Sequence, residues 1–153
     1  MIRTIAVIGA GAMGHGIAES FAMHGYDVKL FDSGAAALAA AKPAIREELE
    51  LLAEEGFIAE ETIAATLERI SLCSDLGETV VDRDYVIEAA PEKLELKQAL
   101  FAELDGYSRP DAIFASNTST LPLQSMMAKL PPARRTRTMV NHWYFPAHLM
   151  PIV

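Results

Sequence analysis

The sequence contains a single cysteine among its 153 residues, and it lacks any apolar run long enough to cross a membrane. One thiol cannot form an internal disulfide, so Cys73 fits a reducing compartment, which we expect to be the cytoplasm. A membrane-spanning helix needs about 20 consecutive apolar residues. Because no basic segment precedes the first apolar run, we also expect no signal peptide.

Positive charge is scarce as well. The 13 lysines and arginines are outnumbered by 21 aspartates and glutamates, which gives a formal net charge of −8. An acidic surface argues against nucleic acid and anionic membranes as partners. It still permits a phosphorylated small molecule, because clustered backbone N–H groups bind phosphate without basic side chains. With 153 residues, of which 51% are hydrophobic, the chain is long and apolar enough to form one domain with its own core.

A strand, a helix and a second strand are predicted in the first 32 residues. The apolar run at residues 5–8 is typical of a buried parallel strand. A helix from about residue 13 to 24 follows and ends at Gly25, a residue that favours a left-handed helix stop. The second strand, at residues 28–31, leads directly into Asp32.

Three glycines join the first strand to the helix at G-x-G-x-x-G spacing. Gly9 permits a tight turn, Gly11 lets a pyrophosphate approach the backbone, and Gly14 lets the helix pack closely on the strand. The N–H groups of the first helical turn, with Ala12 and Met13, are then available to the phosphates. The pattern predicts a dinucleotide site.

Asp32 bears on which dinucleotide would bind. A carboxylate at the end of the second strand can accept hydrogen bonds from both ribose hydroxyls, and it would repel a 2′-phosphate. The sequence therefore predicts NAD rather than NADP. The alternative is a glycine-rich turn without a ligand, and the acid at the second strand end counts against it.

Strands and helices alternate along the rest of the chain. Further strands are predicted at 70–73, 85–89, 112–115, 136–142 and from 149 onward. Further helices are predicted at 35–54, with a kink or a short break at Pro43, and at 60–67, 76–81, 94–104 and 122–129. This pattern predicts an α/β fold with a Rossmann-like, doubly wound, mostly parallel sheet. The helices between 35 and 68 should protrude as a pair. Their glutamates should form a solvated face: Glu47, Glu48, Glu50, Glu54, Glu55, Glu60, Glu61 and Glu68.

Ligands of such sheets bind at the carboxyl ends of the strands. Ser116, Asn117, Thr118 and Ser119 follow the fifth strand. They can bond a ribose, an amide or a substrate hydroxyl, and we assign Asn117 to the cofactor. An ordinary capped turn would have the same residue types.

His142 ends the predicted sixth strand, where an imidazole can take a proton from an alcohol. A packed histidine beside aromatic residues is the alternative. The other three histidines are weaker candidates: His15 can flank the phosphates, His24 suits the helix dipole, and His148 can be exposed or capping.

Four motifs in this order resemble the NAD-binding N-terminal domain of the 3-hydroxyacyl-CoA dehydrogenase family, over nearly the whole chain. The motifs are IAVIGAGAMGHGIAESFAMHGYDVKLFD, VIEAAPEKLELKQALFAELD, IFASNTSTL and NHWYFPAHLMPIV. The resemblance implies hydride transfer between NAD and the 3-hydroxyl carbon of a 3-hydroxyacyl-CoA or a related 3-hydroxy acid. The tryptophan in the last motif leaves a carnitine or sugar-acid dehydrogenase open.

The resemblance also implies roles for single residues. The glycines of the turn and Asp32 bind the adenosine diphosphate half of NAD, and Glu92 and Lys97 lie near the nicotinamide ribose. From the sequence alone, these two could equally be a surface ion pair. Ser119 bonds the substrate oxygen and His142 is the general base. The helical pair at 35–68 matches an arm of the family that is implicated in CoA binding. We assign no metal site from the sequence.

Two departures from the family pattern bear on activity. The family has His-Phe-Phe-Asn-Pro where this chain has His-Trp-Tyr-Phe-Pro, so Phe145 replaces an asparagine that assists at the carbonyl. Phenylalanine cannot donate that hydrogen bond, and Asn141 would lie roughly 13 Å away along a strand. We therefore expect a changed substrate or weakened activity, and a non-catalytic NAD-binding protein, as in crystallin-like relatives, stays open.

The second departure concerns the remainder of the enzyme. The family's histidine-orienting glutamate falls just past Val153, and its helical C-terminal domain, which carries the dimer contacts, is not in this chain. We expect residues 1–153 to be the NAD-binding domain of a longer, homodimeric protein, and to bind NAD with little turnover alone.

Overall fold

Six parallel strands form one sheet in the order β3-β2-β1-β4-β5-β6 in the computed structural model, which describes residues 1–150 and 153. The strands are β1 (Thr4–Ile8), β2 (Asp27–Phe31), β3 (Ile70–Cys73), β4 (Tyr85–Glu88), β5 (Ile113–Ser116) and β6 (Thr138–Val140). The helices are α1 (Ala12–Met23), α2 (Ala35–Glu54), α3 (Thr62–Glu68), α4 (Leu76–Val80), α5 (Leu94–Tyr107), α6 (Leu123–Met126) and α7 (Pro132–Arg135), with a 3₁₀ turn at Met127–Lys129. The predicted Rossmann-like fold class is confirmed.

Helices cover both faces of the sheet, which is why its central strands are apolar throughout. Ile5 and Val7 of β1 point into one core, with α1, α2 and α3. Ala6 and Ile8 point to the opposite face, into a second core with α5 and α6. This alternation follows from the two-residue period of a strand. Strand order reverses between β1 and β4, so the carboxyl ends of these two strands border the crevice where ligands of such sheets bind.

The first helix of the pair is continuous from Ala35 to Glu54, so of the kink or short break predicted at Pro43, the break is wrong. Proline removes one backbone donor and leaves the carbonyl of Ala39 without its helical partner. Both residues are exposed, so water can satisfy that carbonyl. The opposite face of α2 is buried at Leu38, Ala41 and Ile45, and this packing holds the helix across the proline.

The segment after β5 differs from its predicted outline. The helix predicted at 122–129 is divided into α6 and the 3₁₀ turn, and α7 was not predicted. Pro132 occupies the first turn of α7, where a proline is tolerated because its missing N–H would have had no helical partner.

The sixth strand is shorter than predicted, and His142 lies two residues beyond its end. The ladder continues as far as the amide of Asn141, which donates to the Ser116 carbonyl at 2.9 Å. Amides of alternate residues donate to the same neighbouring strand, so the next donor would be Trp143. Its amide donates instead to the Asn117 side chain at 2.7 Å, and pairing stops there.

A seventh strand does not begin at Leu149. The amides of Leu149 and Met150 both donate to the Pro146 carbonyl at 3.1 Å, which makes a turn. Residues 151 and 152 of that predicted strand lie outside the described residues.

Replacing Gly14 by alanine should destabilise the fold. The new Cβ would lie 1.7 Å from the Gly9 carbonyl oxygen, and a backbone atom cannot yield as a flexible side chain does. We expect the free energy of unfolding to fall by about 3 kcal/mol or more, measured by urea denaturation. Gly106→Ala is the control, because a Cβ at this helical position meets nothing within 4 Å and should be neutral or mildly stabilising. Equal stability of the two variants would contradict the packing argument.

Candidate active site

The turn after β1 lies directly against the end of β4. Gly9 has a φ of +111°, and its amide donates to the Phe31 carbonyl at 2.8 Å. A Cβ at Gly9 would lie 2.7 Å from the carbonyl oxygen of Ala89. Both the left-handed backbone and this close approach require glycine.

The second glycine opens onto a cleft of about 840 Å³. A Cβ at Gly11 would meet none of the described atoms within 4 Å, so the space above this residue is free for a ligand. Gly11 is also the N-cap of α1, and no side chain of the described residues caps that end of the helix. The cleft is lined by the turn and Asp32 on one side and by Ala90, Pro91, Leu96, Ala99 and Leu100 on the other. A wide cleft with unused amides and apolar walls fits a dinucleotide.

Asp32 is held in this cleft by the backbone. Its Oδ2 accepts from the Ala10 amide at 2.7 Å, and its Oδ1 accepts from the Gly34 amide at 2.7 Å. Each carboxylate oxygen has a second acceptor position, so both can still accept a ribose hydroxyl. The role of Asp32 at the ribose stays a prediction.

A buried ion pair lies behind the cleft, at the end of β4. The carboxylate of Glu88 is fully buried and accepts from Lys97 Nζ at 2.6 Å, from the Ala90 amide at 2.6 Å and from Ser116 Oγ at 2.5 Å. Lys97, in the first turn of α5, is only 1% exposed. The surface ion pair considered for Lys97 is therefore wrong, because its principal partner is the buried Glu88.

Glu92 connects this pair to the loop after β5. Its Oε2 lies 3.1 Å from Lys97 Nζ, and its Oε1 accepts from the Thr118 hydroxyl and from the amides of Ser119 and Thr120 at 3.2 Å. Burial alone would raise the pKa of Glu92, but the hydrogen bonds from Thr118, Lys97 and Thr120 outweigh it and lower the pKa to about 2. Glu92 is therefore an anionic anchor for residues 118–120 at neutral pH.

Ser119 and His142 form a pair at the carboxyl edge of the sheet. Ser119 Oγ lies 3.0 Å from His142 Nε2, within hydrogen-bond distance. Ser119 is exposed and His142 is half-buried, so a small molecule can reach both. The two residues are 23 positions apart in the sequence, and the fold brings them together as expected for a hydroxyl and a base acting on one substrate.

The histidine loop, residues 142–150, is held by two asparagines. Asn117 Oδ1 accepts the Trp143 amide at 2.7 Å. Asn141 Oδ1 accepts both from Tyr85 at 2.9 Å and from the Trp143 indole at 2.8 Å. Phe145, by contrast, is 68% exposed. The Asn141 side chain is thus bound to aromatic neighbours. The Asn117 side chain holds the histidine loop, and its assignment to the cofactor stays a prediction.

Sequence reasoning missed a group of residues near the start of α1. His15 Nε2 lies 3.0 Å from Glu48 Oε1, while His148 faces both Glu19 and Glu48. The placement of Glu48 on a solvated face and of His148 in solvent or at a cap is therefore wrong. One signal was available: His15 and Glu19 are four residues apart on a helix and so share a face.

The fold and the cleft define a Rossmann-type dinucleotide-binding domain. The family model described as "3-hydroxyacyl-CoA dehydrogenase, NAD binding domain" matches residues 4–153. The chain belongs to this family, and the family confirms the prediction of NAD as cofactor.

Relatives in other organisms agree with this assignment. The chain is 38% identical over 152 residues to the 3-hydroxyadipyl-CoA dehydrogenase of Escherichia coli K12, covering 99% of this chain and 31% of the relative. It is 35% identical over 158 residues to the mitochondrial hydroxyacyl-coenzyme A dehydrogenase of Rattus norvegicus, covering all of this chain and 50% of the relative. The chain thus spans 31% of the length of the first relative and 50% of the length of the second.

Solved structures show the same architecture. The 3-hydroxybutyryl-CoA dehydrogenase of Escherichia coli K12 superposes with a TM-score of 0.92 at 37% identity, over 98% of this chain and 31% of that one. In the described part of the chain, we find no helix that combines the length and the apolar character needed to span a bilayer.

Replacing Lys97 by methionine should strongly destabilise the domain, because Glu88 would be left buried without its cation. Removing one partner of a buried ion pair typically costs about 3–5 kcal/mol, which urea denaturation would measure. Lys93→Met removes the same charge from an exposed position at the start of the same helix and should cost little. A loss below about 1 kcal/mol in Lys97→Met would show that the pair does not organise this edge.

Proposed function

We propose that this chain is the cofactor domain of an NAD-dependent oxidoreductase that acts on the 3-hydroxyl carbon of a 3-hydroxyacyl-CoA or a related 3-hydroxy acid. The observation that supports this most is the Ser119–His142 pair, 3.0 Å apart on the edge that also holds the glycine turn. A base and a hydroxyl beside a dinucleotide cleft are what an alcohol oxidation needs. The proposal concerns a protein of which this chain is one part, as it spans only part of its relatives.

Binding of the cofactor falls to the first half of the domain. The amides of Gly11, Ala12 and Met13 would hold the pyrophosphate, with Gly9 and Gly14 shaping the turn, and Asp32 would hold the adenosine ribose. NAD, when bound, supplies the hydride acceptor. The first turn of α1 carries no acidic side chain that would repel the phosphates.

Proton transfer falls to the second half. His142 Nε2 would take the proton of the 3-hydroxyl as the hydride leaves the same carbon for NAD, so the alcohol becomes a ketone by loss of one hydride and one proton. Ser119 would hold the substrate oxygen next to the imidazole. In the reverse direction, His142 returns the proton to the forming alcohol.

Glu92 and Lys97 would act at different distances from the reaction. All three protons of the Lys97 ammonium have acceptors: Glu88 at 2.6 Å, Glu92 at 3.1 Å and the Ala90 carbonyl at 3.2 Å. Lys97 is therefore a positioning residue, which holds Glu92 in place rather than contacting the nicotinamide ribose itself. Glu92 has a partly exposed carboxylate and can contact that ribose while it anchors the Ser119 loop.

Phe145 favours a second candidate, a non-catalytic NAD-binding protein. Phenylalanine offers no hydrogen-bond donor at this position, and the Asn141 side chain is fixed elsewhere by the bonds that its amide oxygen accepts from Tyr85 and Trp143. Loss of one donor that stabilises the developing charge costs about 10²–10³ in rate. A smaller or differently polarised substrate is the catalytic alternative, and one relative, 36% identical, is named L-carnitine dehydrogenase of Streptomyces griseus.

The oligomeric state, the cellular location and the role of the α2–α3 pair are three further points. A homodimer and a cytoplasmic location stay predictions, and the rat relative is named as mitochondrial. Contact of the α2–α3 pair with CoA stays a prediction too.

His142→Gln, made in the complete protein, should abolish turnover without changing the affinity for NAD. Removing a general base typically lowers the rate by about 10²–10⁴, whereas the cofactor cleft is formed by other residues. Oxidation of 3-hydroxybutyryl-CoA is followed by NADH absorbance, and NAD binding by calorimetry. His24→Gln is the matched control, since His24 is exposed at the far end of α1. Unchanged turnover in His142→Gln would contradict the proposal, and saturable NAD binding by a wild type without turnover would favour the non-catalytic protein.

Phe145→Asn should raise the rate of acetoacetyl-CoA reduction in the complete protein. The substitution restores a donor at a site where one is typically worth about 10²–10³ in rate. Phe57→Asn, at an exposed phenylalanine in the connection between α2 and α3, controls for the general effect of the same substitution. If neither variant gains activity, Phe145 does not limit carbonyl polarisation.

A further inference from the structure

A second cluster of ionisable side chains lies where α1, α2 and the loop after His142 meet. Glu19 comes from α1, Glu48 from α2 and His148 from the loop. His15, one turn before Glu19, contacts Glu48 from the side. None of these residues belongs to the NAD cleft or to the Ser119–His142 pair.

The three ligand-type atoms are spaced as if around one point. His148 Nδ1 lies 3.5 Å from Glu19 Oε2 and 3.6 Å from Glu48 Oε2, and one atom from each residue falls within 4.8 Å of the others. Two ligands bound at about 2.1 Å to a tetrahedral ion are about 3.4 Å apart. The two distances from His148 Nδ1 to the carboxylate oxygens are close to that value.

Glu19 is fully buried, yet neither of its carboxylate oxygens has a hydrogen-bond partner among the described residues. Glu48 Oε2, which faces it, has none either. A buried carboxylate normally has a partner, because leaving it without one costs several kcal/mol or forces it to take a proton. Burial and the neighbouring Glu48 raise the pKa of Glu19 to about 9.

A shared proton and a bound cation are two arrangements that would give these oxygens partners. A proton on Glu19 can be shared with Glu48, but a single proton bridges only one pair of oxygens. A divalent cation would satisfy Glu19, Glu48 and His148 together. The imidazole also decides the kind of cation, because Mg²⁺ and Ca²⁺ prefer oxygen ligands, whereas Zn²⁺ and Mn²⁺ accept a histidine with carboxylates.

We propose that Glu19, Glu48 and His148 bind a divalent transition-metal ion, with Zn²⁺ the best fit to three ligands and one open position. His15 would orient the site, since its Nε2 lies 3.0 Å from the other oxygen of Glu48, and ligating carboxylates are commonly held in this way. The sequence assigned no metal, because the ligands come from three elements. The inference does not depend on the proposed dehydrogenase activity.

The ion would fasten the histidine loop to the helices. The loop crosses α1 at Gly16, where a Cβ would lie 3.3 Å from the Cβ of Ala147 and 3.6 Å from His148 Nδ1, so the small residue lets the loop pack closely on the helix that carries Glu19. His148 lies six residues after His142. A bound ion would therefore fix the far end of the loop whose near end is fixed by Asn117 and Asn141.

The test is titration of the EDTA-treated full chain with ZnCl₂ and, separately, MnCl₂ by calorimetry. We expect one saturable site per chain and a rise in the thermal unfolding temperature with Zn²⁺. Glu19→Gln should weaken binding by at least about 100-fold and remove the thermal shift, and His15→Ala should weaken it by about 10–100-fold. Glu47→Gln, an exposed neighbour of Glu48 on α2, should bind as the wild type does.

Absence of a one-to-one site for either ion in the wild type would overturn the proposal and leave the shared proton. Equal Zn²⁺ affinity in Glu19→Gln would also overturn it, because the ion would then bind elsewhere on the acidic surface. If Glu19→Gln does not fold by circular dichroism, His148→Ala decides in the same way, since this residue lies in a loop.

Discussion

The buried carboxylate of Glu88 organises the part of the sheet edge that holds Ser119 and His142. It is fully buried and accepts hydrogen bonds from Lys97, Ser116 and the Ala90 amide, each within 2.6 Å. Such a charge is tolerated in a core only when all of its partners are present. From there, the contacts run through Lys97 to Glu92, through Glu92 to the Ser119 loop, and from Ser119 to His142.

The cofactor half meets this network at the same place. Ala89, the residue after Glu88, donates its amide to the Ile8 carbonyl at 2.8 Å, and its own carbonyl packs against Gly9. The glycine turn and the loop that carries Ser119 therefore lie on two sides of one strand end. Any shift of β4 would move the glycine turn and the Ser119 loop together, so this strand end keeps the two in register.

Much of this arrangement could be predicted from the sequence because its signals are local. The apolar runs, the glycine spacing and Asp32 predicted the Rossmann fold and the cleft, and the motif order placed Ser119 with His142. Lys97 was harder to place, since a lysine near a helix start looks exposed until its partner, 9 residues earlier, is known to be buried.

The remaining errors have tertiary causes. Packing on α1 overrides the helix-breaking tendency of Pro43, and the Asn117 side chain ends β6 by taking an amide from the next strand position. The Glu19–Glu48–His148 cluster joins residues up to 129 positions apart, so no spacing rule finds it. The packing of α1 against α2 brings Glu19 and Glu48 together, and the packing of the 142–150 loop on Gly16 adds His148.

The central claim is that NAD lies with its pyrophosphate on the start of α1 and its nicotinamide in front of His142. A crystal structure of the chain with NADH tests this most directly. We expect phosphate oxygens within hydrogen-bond distance of the amides of Gly11, Ala12 and Met13. We also expect the nicotinamide ring on the side of the sheet edge that holds Ser119 and His142. A pyrophosphate away from these amides, or a nicotinamide facing away from His142, would contradict it.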